Sequence, residues 1–195
     1  MRTTRLTFPL LTALLAAAPA AHAQATTQAP AAAPAAPASG IRAEIVAQID
    51  DAGKKLVQLA EATPAEKFTY RPAAGVRSTS EVFMHVVGAN YMLPGIAGAP
   101  KATDVQLSPD MEKTVTAKAQ IVELLRKSFA YAKASVMAVP ESEMDARVSF
   151  FGQPFSKRGV LLIVATHAHE HLGQSIAYAR ANGVTPPWSR GAAGN

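Results

Sequence analysis

Apolar positions along this chain recur with a period near 3.6 over four long segments, and almost nowhere with a sustained period of two. The first predicted helix covers Ile41 to Ala62, with Ile45, Ile49, Leu56, Leu59 and Ala60 on its apolar side. The second starts at Ser78, where Ser78-Thr79-Ser80-Glu81 fits a capping box. It carries Val82, Phe83, Val86, Val87 and Ala89 toward Met92, and Pro94 weakens its end. A third opens at Ser108-Pro109, an N-cap followed by proline at the first helical position. It continues through Val115, Ile121, Leu124, Leu125, Phe129 and Tyr131 to about Met137, and Pro140 closes it. The fourth spans Ser156 to Asn182, with Ser156 as N-cap and Gly183 as the stop. Between the last two, Val148 to Phe155 reads as a short hairpin or loop with Gly152 at its turn. The expected fold class is all-α: an antiparallel four-helix bundle with a short irregular or hairpin segment before the last helix.

The ends of the chain read differently. Arg2 and Arg5, the apolar run Leu6 to Ala20 and the small-x-small stretch Ala21-His22-Ala23 form a signal peptide over residues 1–23. The mature protein is therefore expected to be secreted or periplasmic after cleavage near Ala23, and to carry no transmembrane segment. Residues 24–40, mostly Ala, Pro, Thr and Gln, have too little side chain to bury and are expected to be a disordered linker. Residues 41–188 are the right size for one globular domain, and residues 189–195 are expected to be a disordered tail.

Charge and cysteine content narrow the chemistry. The formal net charge is +5, and loss of Arg2 and Arg5 with the signal leaves it only mildly basic. Lysines and arginines are scattered, as in Lys54-Lys55, Lys113, Lys118 and Arg126-Lys127, with no stripe interleaved with aromatics, so nucleic acid is not an expected partner. The chain has no cysteine, which rules out disulfides, thiolate ligands and a cysteine nucleophile. Any metal must be held by nitrogen or oxygen.

The candidate chemistry lies in His167-Ala168-His169-Glu170-His171, followed by Leu172-Gly173-Gln174. On a strand all three histidines would face one way. On a helix His167 and His171 lie about 40° apart, while His169 falls roughly 200° from His167 on the far face. Val160, Val164, His167, His171 and Gln174 recur at spacings of four, three, four and three, a single stripe that no strand period produces. The helix therefore removes His169 from the candidate ligands and leaves it solvated or packed against a helix. A third nitrogen must come from elsewhere, and His85 sits mid-way along the second helix. Bundles build metal sites from side chains on facing helices, and three ligands leave positions open for water or substrate.

Arg77 to Asn90, containing His85, followed much later by His167-x-x-x-His171-x-Gly173-Gln174, resembles the DinB-like family. Pro64 to Pro72, with Phe68 and Tyr70, resembles that family's approach to its second helix, and Ala179 to Pro187 its usual close. The similarity spans about Ile41 to Trp188. It implies a four-helix bundle with a divalent metal held by His85, His167 and His171. Relatives with known activities include thiol-dependent transferases and isomerases, and many have no assigned reaction.

Several neighbours have two readings. Glu170 is a surface charge, or a general base. Glu81 belongs to the capping box, or orients the free ring nitrogen of His85. Gln174 lines the pocket, or bonds a neighbouring helix. Tyr91, Phe68, Tyr70 and Trp188 stack on a ligand, or pack in the core and at its edge. A metallo-β-lactamase-like metal loop is the nearest rival to Thr166 to His171, but the segment is one residue short, has Glu for Asp, and no later histidines complete the site.

Three neutral imidazoles leave the full charge on a divalent ion, which favours activating a water or thiol and polarising a carbonyl. The expected function is a metal-dependent hydrolase or transferase acting on a small molecule, with zinc or nickel as cofactor and no catalytic side chain assigned. The alternative is a non-catalytic periplasmic metal- or ligand-binding, stress-related module. The oligomeric state stays open, with a homodimer one expected form because related bundles often pair.

Overall fold

Ser78 shows why the helices begin where the sequence places them. Its side chain accepts a bond from the Glu81 backbone, and the Glu81 carboxylate accepts one from the Ser78 backbone N–H at 2.7 Å, a complete capping box. The computed structural model describes residues 40–103 and 105–190. The expected signal peptide, most of the linker and the last five positions lie outside them. Helices α1 (Ile41–Ala62), α2 (Thr79–Ile96), α3 (Met111–Thr114), α4 (Lys118–Ala138) and α5 (Lys157–Ala181) account for most of the described chain. Strands β1 (Arg147–Phe150) and β2 (Gln153–Ser156) form an antiparallel hairpin between α4 and α5. None of these helices is long and apolar enough to cross a membrane.

The four long helices build the bundle, with α1 and α2 each packed against both α4 and α5. α1 runs antiparallel to α4: Arg42 at its start bonds Glu141 beyond the end of α4 at 2.6 Å. At the other end, Lys118 at the start of α4 donates to the carbonyls of Glu61 and Thr63, each at 2.7 Å. Those carbonyls have no partner within α1, so the lysine satisfies them and meets the negative pole of the helix. α2 runs antiparallel to α5, with His85 opposite His167 and Gly98 beside Lys157. The interior is continuous, and includes Ile45, Ile49, Leu56, Phe83, Ile121, Leu125, Val160 and Val164. One buried polar pair, Asn90 donating to Ser128 at 3.1 Å, ties α2 to α4.

α5 ends in a Schellman motif. Gly183 has φ 71°, Val184 N–H bonds the Ala179 carbonyl at 2.8 Å, and Gly183 N–H bonds the Arg180 carbonyl at 3.0 Å. Val184 and Ala179 then close over Leu59 of α1. The end of α5 therefore meets the end of α1, so those two helices run the same way.

The third expected helix is corrected. It does not start at Ser108 and is not continuous: the single turn of α3 begins after Asp110, Val115 is extended at φ −88° and ψ 101°, and α4 begins after Ala117. Three consecutive β-branched residues, Thr114, Val115 and Thr116, lose side-chain freedom in a helix and weaken it at this point. Packing of α3 on α2, with Met111 buried, holds the broken conformation. In α2 the helix passes Met92 and takes Pro94 into its last turns, where a proline forfeits a single helical bond. The hairpin turns at Phe151 and Gly152, both with positive φ (49° and 82°), the two-residue turn whose twist matches a hairpin.

Candidate metal centre

His85 follows Met84, a core residue, on the face of α2 that looks toward α5. His167 and His171 lie one turn apart on the facing side of α5. The three rings converge: His167 Nε2 is 3.1 Å from His85 Nε2 and 3.1 Å from His171 Nε2. One ligand atom from each residue lies within 4.8 Å of the others, so these three histidines could hold a metal ion. His171 is buried, and His85 and His167 are half-buried.

The outward ring nitrogens fix what the inward ones can do. His85 Nδ1 faces Glu112 Oε2 at 3.2 Å, and His171 Nδ1 faces the side-chain oxygen of Gln174 at 2.8 Å. Both partners accept hydrogen bonds, so the ring proton of each neutral histidine sits on Nδ1. The Nε2 lone pairs of His85 and His171 therefore point inward, toward His167. His167 Nε2 can offer its single proton to only one of them, which leaves acceptors facing each other. A cation resolves this. Metal–nitrogen bonds of about 2.0–2.1 Å bring adjacent ligand nitrogens to roughly 3 Å, which the two 3.1 Å spacings from His167 match. Three imidazole nitrogens suit zinc, nickel, iron or copper rather than a cation that prefers oxygen.

Burial and neighbouring positive charge favour the neutral form of His167 and His85. Burial lowers the His167 pKa from 6.5 to about 4, and the neighbouring His171, His85 and Arg77 add to the effect. His85 is also lowered, first by burial and then by Arg77 and His171, against the opposing pull of Glu112. The His85–Glu112 contact is therefore a hydrogen bond from a neutral ring rather than an ion pair.

Glu112 was not among the residues the sequence singled out. It lies on α3, 27 positions from His85, and its other oxygen takes Arg77 Nε at 2.6 Å. No spacing connects it to His85; the break after Thr114 alone makes α3 a separate unit that can dock beside α2. The alternative role for Glu81 is corrected: one carboxylate serves both the cap of α2 and Arg71, at 2.7 Å and 2.9 Å. Gln174 has the local role of bonding His171, and its amide donates to the Tyr178 hydroxyl at 3.1 Å. Glu170 is exposed, as its surface reading requires, and His169 lies outside the cluster. Phe68 packs on Phe83 and Tyr91 on Tyr131, while Tyr70 meets Tyr178 edge-on. Trp188 lies in the middle of a short 3-10 turn over Pro187–Ser189, outside the bundle helices.

The model of the DinB superfamily matches residues 48–175, a span that contains all three histidines. The chain belongs to this superfamily. Its fold recurs in a DinB-like protein from Bacillus cereus ATCC 10987, at a TM-score of 0.64 and 18% identity, over 73% of this chain and 93% of that one. A DinB-like protein from Bacillus subtilis gives 0.58 and 19%, again over 73% and 93%. A conserved protein from Enterococcus faecalis gives 0.57 and 14%, over 73% and 97%. No curated protein matches this DinB chain. At these identities the solved relatives show the fold alone.

Proposed function

We propose that this DinB-superfamily protein is an exported metal-dependent enzyme, a hydrolase or transferase, that uses His85, His167 and His171 to hold one zinc or nickel ion. The carrying observation is the convergence of three ring nitrogens whose outward partners, Glu112 and Gln174, turn lone pairs inward. A divalent ion held by three neutral imidazoles lowers the pKa of a coordinated water or thiol and polarises a carbonyl. The chain's own residues supply the rest. Glu112 and Gln174 hold two rings in the metal-binding tautomer, and Arg77 holds Glu112 in place. The expected signal over residues 1–23 favours water over a small thiol as the nucleophile, since such thiols are scarce outside the cytoplasm.

A second reading, a metal- or ligand-binding module without turnover, is favoured by one observation. Both oxygens of Glu112, the carboxylate beside the triad, are engaged by Arg77 and His85, which leaves it poorly placed as a general base. One experiment separates the two. Elemental analysis of the purified full-length protein should find one metal per chain, and His85→Ala, His167→Ala and His171→Ala should each weaken metal binding by more than about a hundredfold. His169→Ala should bind as wild type. Loss of metal in His169→Ala, or none in His85→Ala, overturns the triad. A loaded protein inert toward ester, amide and thiol-transfer substrates supports the module.

A further inference from the structure

A cavity of about 630 Å³ opens beside the triad, with His85 and His167 in its wall. That is within the usual range for a small-molecule site. Away from the histidines the wall is apolar, contributed by Met84 and Leu93 of α2, Ile163 of α5 and Phe150 of β1. Its exposed rim is more telling. Among the described residues the exposed large apolar side chains include Met92, Leu107 and Phe151, at 48%, 46% and 74%, and all three line this one cavity. They arrive from three separate parts of the chain: α2, the crossover before α3, and the hairpin tip. Exposed apolar side chains scattered singly need no explanation, but three gathered around one opening mark a recognition surface.

Phe151 strengthens the argument. It has φ 49°, a conformation a bulky residue adopts at a cost, in a turn position that favours Asn or Gly. Its ring is largely in solvent, so folding recovers little from it. Charge is sorted in the same way. Glu112 is the acidic group in the cavity wall and is already paired, while Arg71, Arg77, Lys113 and Glu81 line a neighbouring polar groove that Glu112 also borders. A charged tail would find no free partner in the apolar cavity.

We propose that this cavity binds the apolar body of the substrate, an acyl or aryl group, and presents its polar reacting end to the triad. The head-group half rests on the metal reading above; the apolar half does not. Met92, Leu107 and Phe151 are then the residues that set chain-length preference.

The test is displacement of the fluorescent apolar probe N-phenyl-1-naphthylamine from zinc-loaded full-length protein, by straight-chain hydroxamates from acetohydroxamate to decanohydroxamate and by 1-alkanols of matching length. Burial of each added methylene should tighten binding by about fourfold until the cavity is full. Met92→Glu and Leu107→Glu change exposed positions, so the fold and the metal content should stay intact. Each should remove at least about tenfold of the long-chain gain while leaving acetohydroxamate affinity unchanged. A flat length series, or a gain untouched in both variants, overturns the apolar site. Hydroxamates that bind no better than the matching alkanols, with the length gain intact, instead overturn the metal reading and leave the cavity proposal standing.

Discussion

Glu112 decides the orientation of His85. It is an acidic residue in a charged stretch, Asp110 to Lys113, and nothing in its own neighbourhood distinguishes it. Its function comes from position: one oxygen receives Arg77 and the other faces His85 Nδ1. His167 and His171, by contrast, were legible, because a helical spacing of four selects them and discards His169, while His85 joined them through its place on the second helix and the family resemblance. Partners that orient metal-bound histidines matter nearly as much as the ligands. Glu112→Ala should therefore weaken metal affinity by about tenfold to a hundredfold, measured by competition with a chromogenic chelator. Glu81→Ala serves as the contrast: it should cost stability through the lost cap and leave metal affinity unchanged. Equal metal affinity in wild type and Glu112→Ala would remove Glu112 from the site.

At the scale of elements, termini written in local chemistry came out as the sequence predicts. Ser78 and Ser156 cap α2 and α5, Gly183 stops α5, and Gly152 turns the hairpin. The third helix did not. Its apolar period continues across Thr114 to Thr116, yet packing of Met111 against α2 and docking of Lys118 on the end of α1 favour two pieces. Close approach of helices is likewise invisible in a periodic pattern. A Cβ at Gly53 of α1 would stand 2.7 Å from a ring carbon of buried Phe129 on α4, whereas one at Gly173 of α5 meets nothing within 4 Å. Alanine gains about 1 kcal/mol of helix propensity over glycine at either site. At Gly53 overpacking of about 1–3 kcal/mol opposes that gain. Gly53→Ala should thus lower stability by about 1 kcal/mol and Gly173→Ala raise it by about 0.5–1 kcal/mol, both read from urea unfolding. A stabilised Gly53→Ala would mean that α1 and α4 are less closely packed than described.

The whole molecule carries the cost of assembling three histidines between two helices. Without metal, His167 is held at about 4 and His85 below its ordinary 6.5, chiefly by burial. The folded form therefore binds fewer protons than the unfolded chain in this range. Their contribution to stability is complete above pH 6.5 and is lost as pH falls toward about 4. Urea midpoints of metal-free protein should drop between about pH 7 and about pH 4.5, and drop less in His167→Ala. An unchanged pH dependence in that variant would show that His167 is not held neutral by the fold. By itself the sequence determined the helical class, most helix termini, the hairpin and the His167–His171 pair, because caps, turns and helical periods are local and act between residues a few positions apart; His85 joined that pair only through the family resemblance and the facing of α2 and α5. Only the tertiary structure decided the break before α4, the Glu112 and Arg77 support, and the apolar cavity. Those depend on contacts between residues far apart in the chain, which form when four helices dock and which no local pattern records.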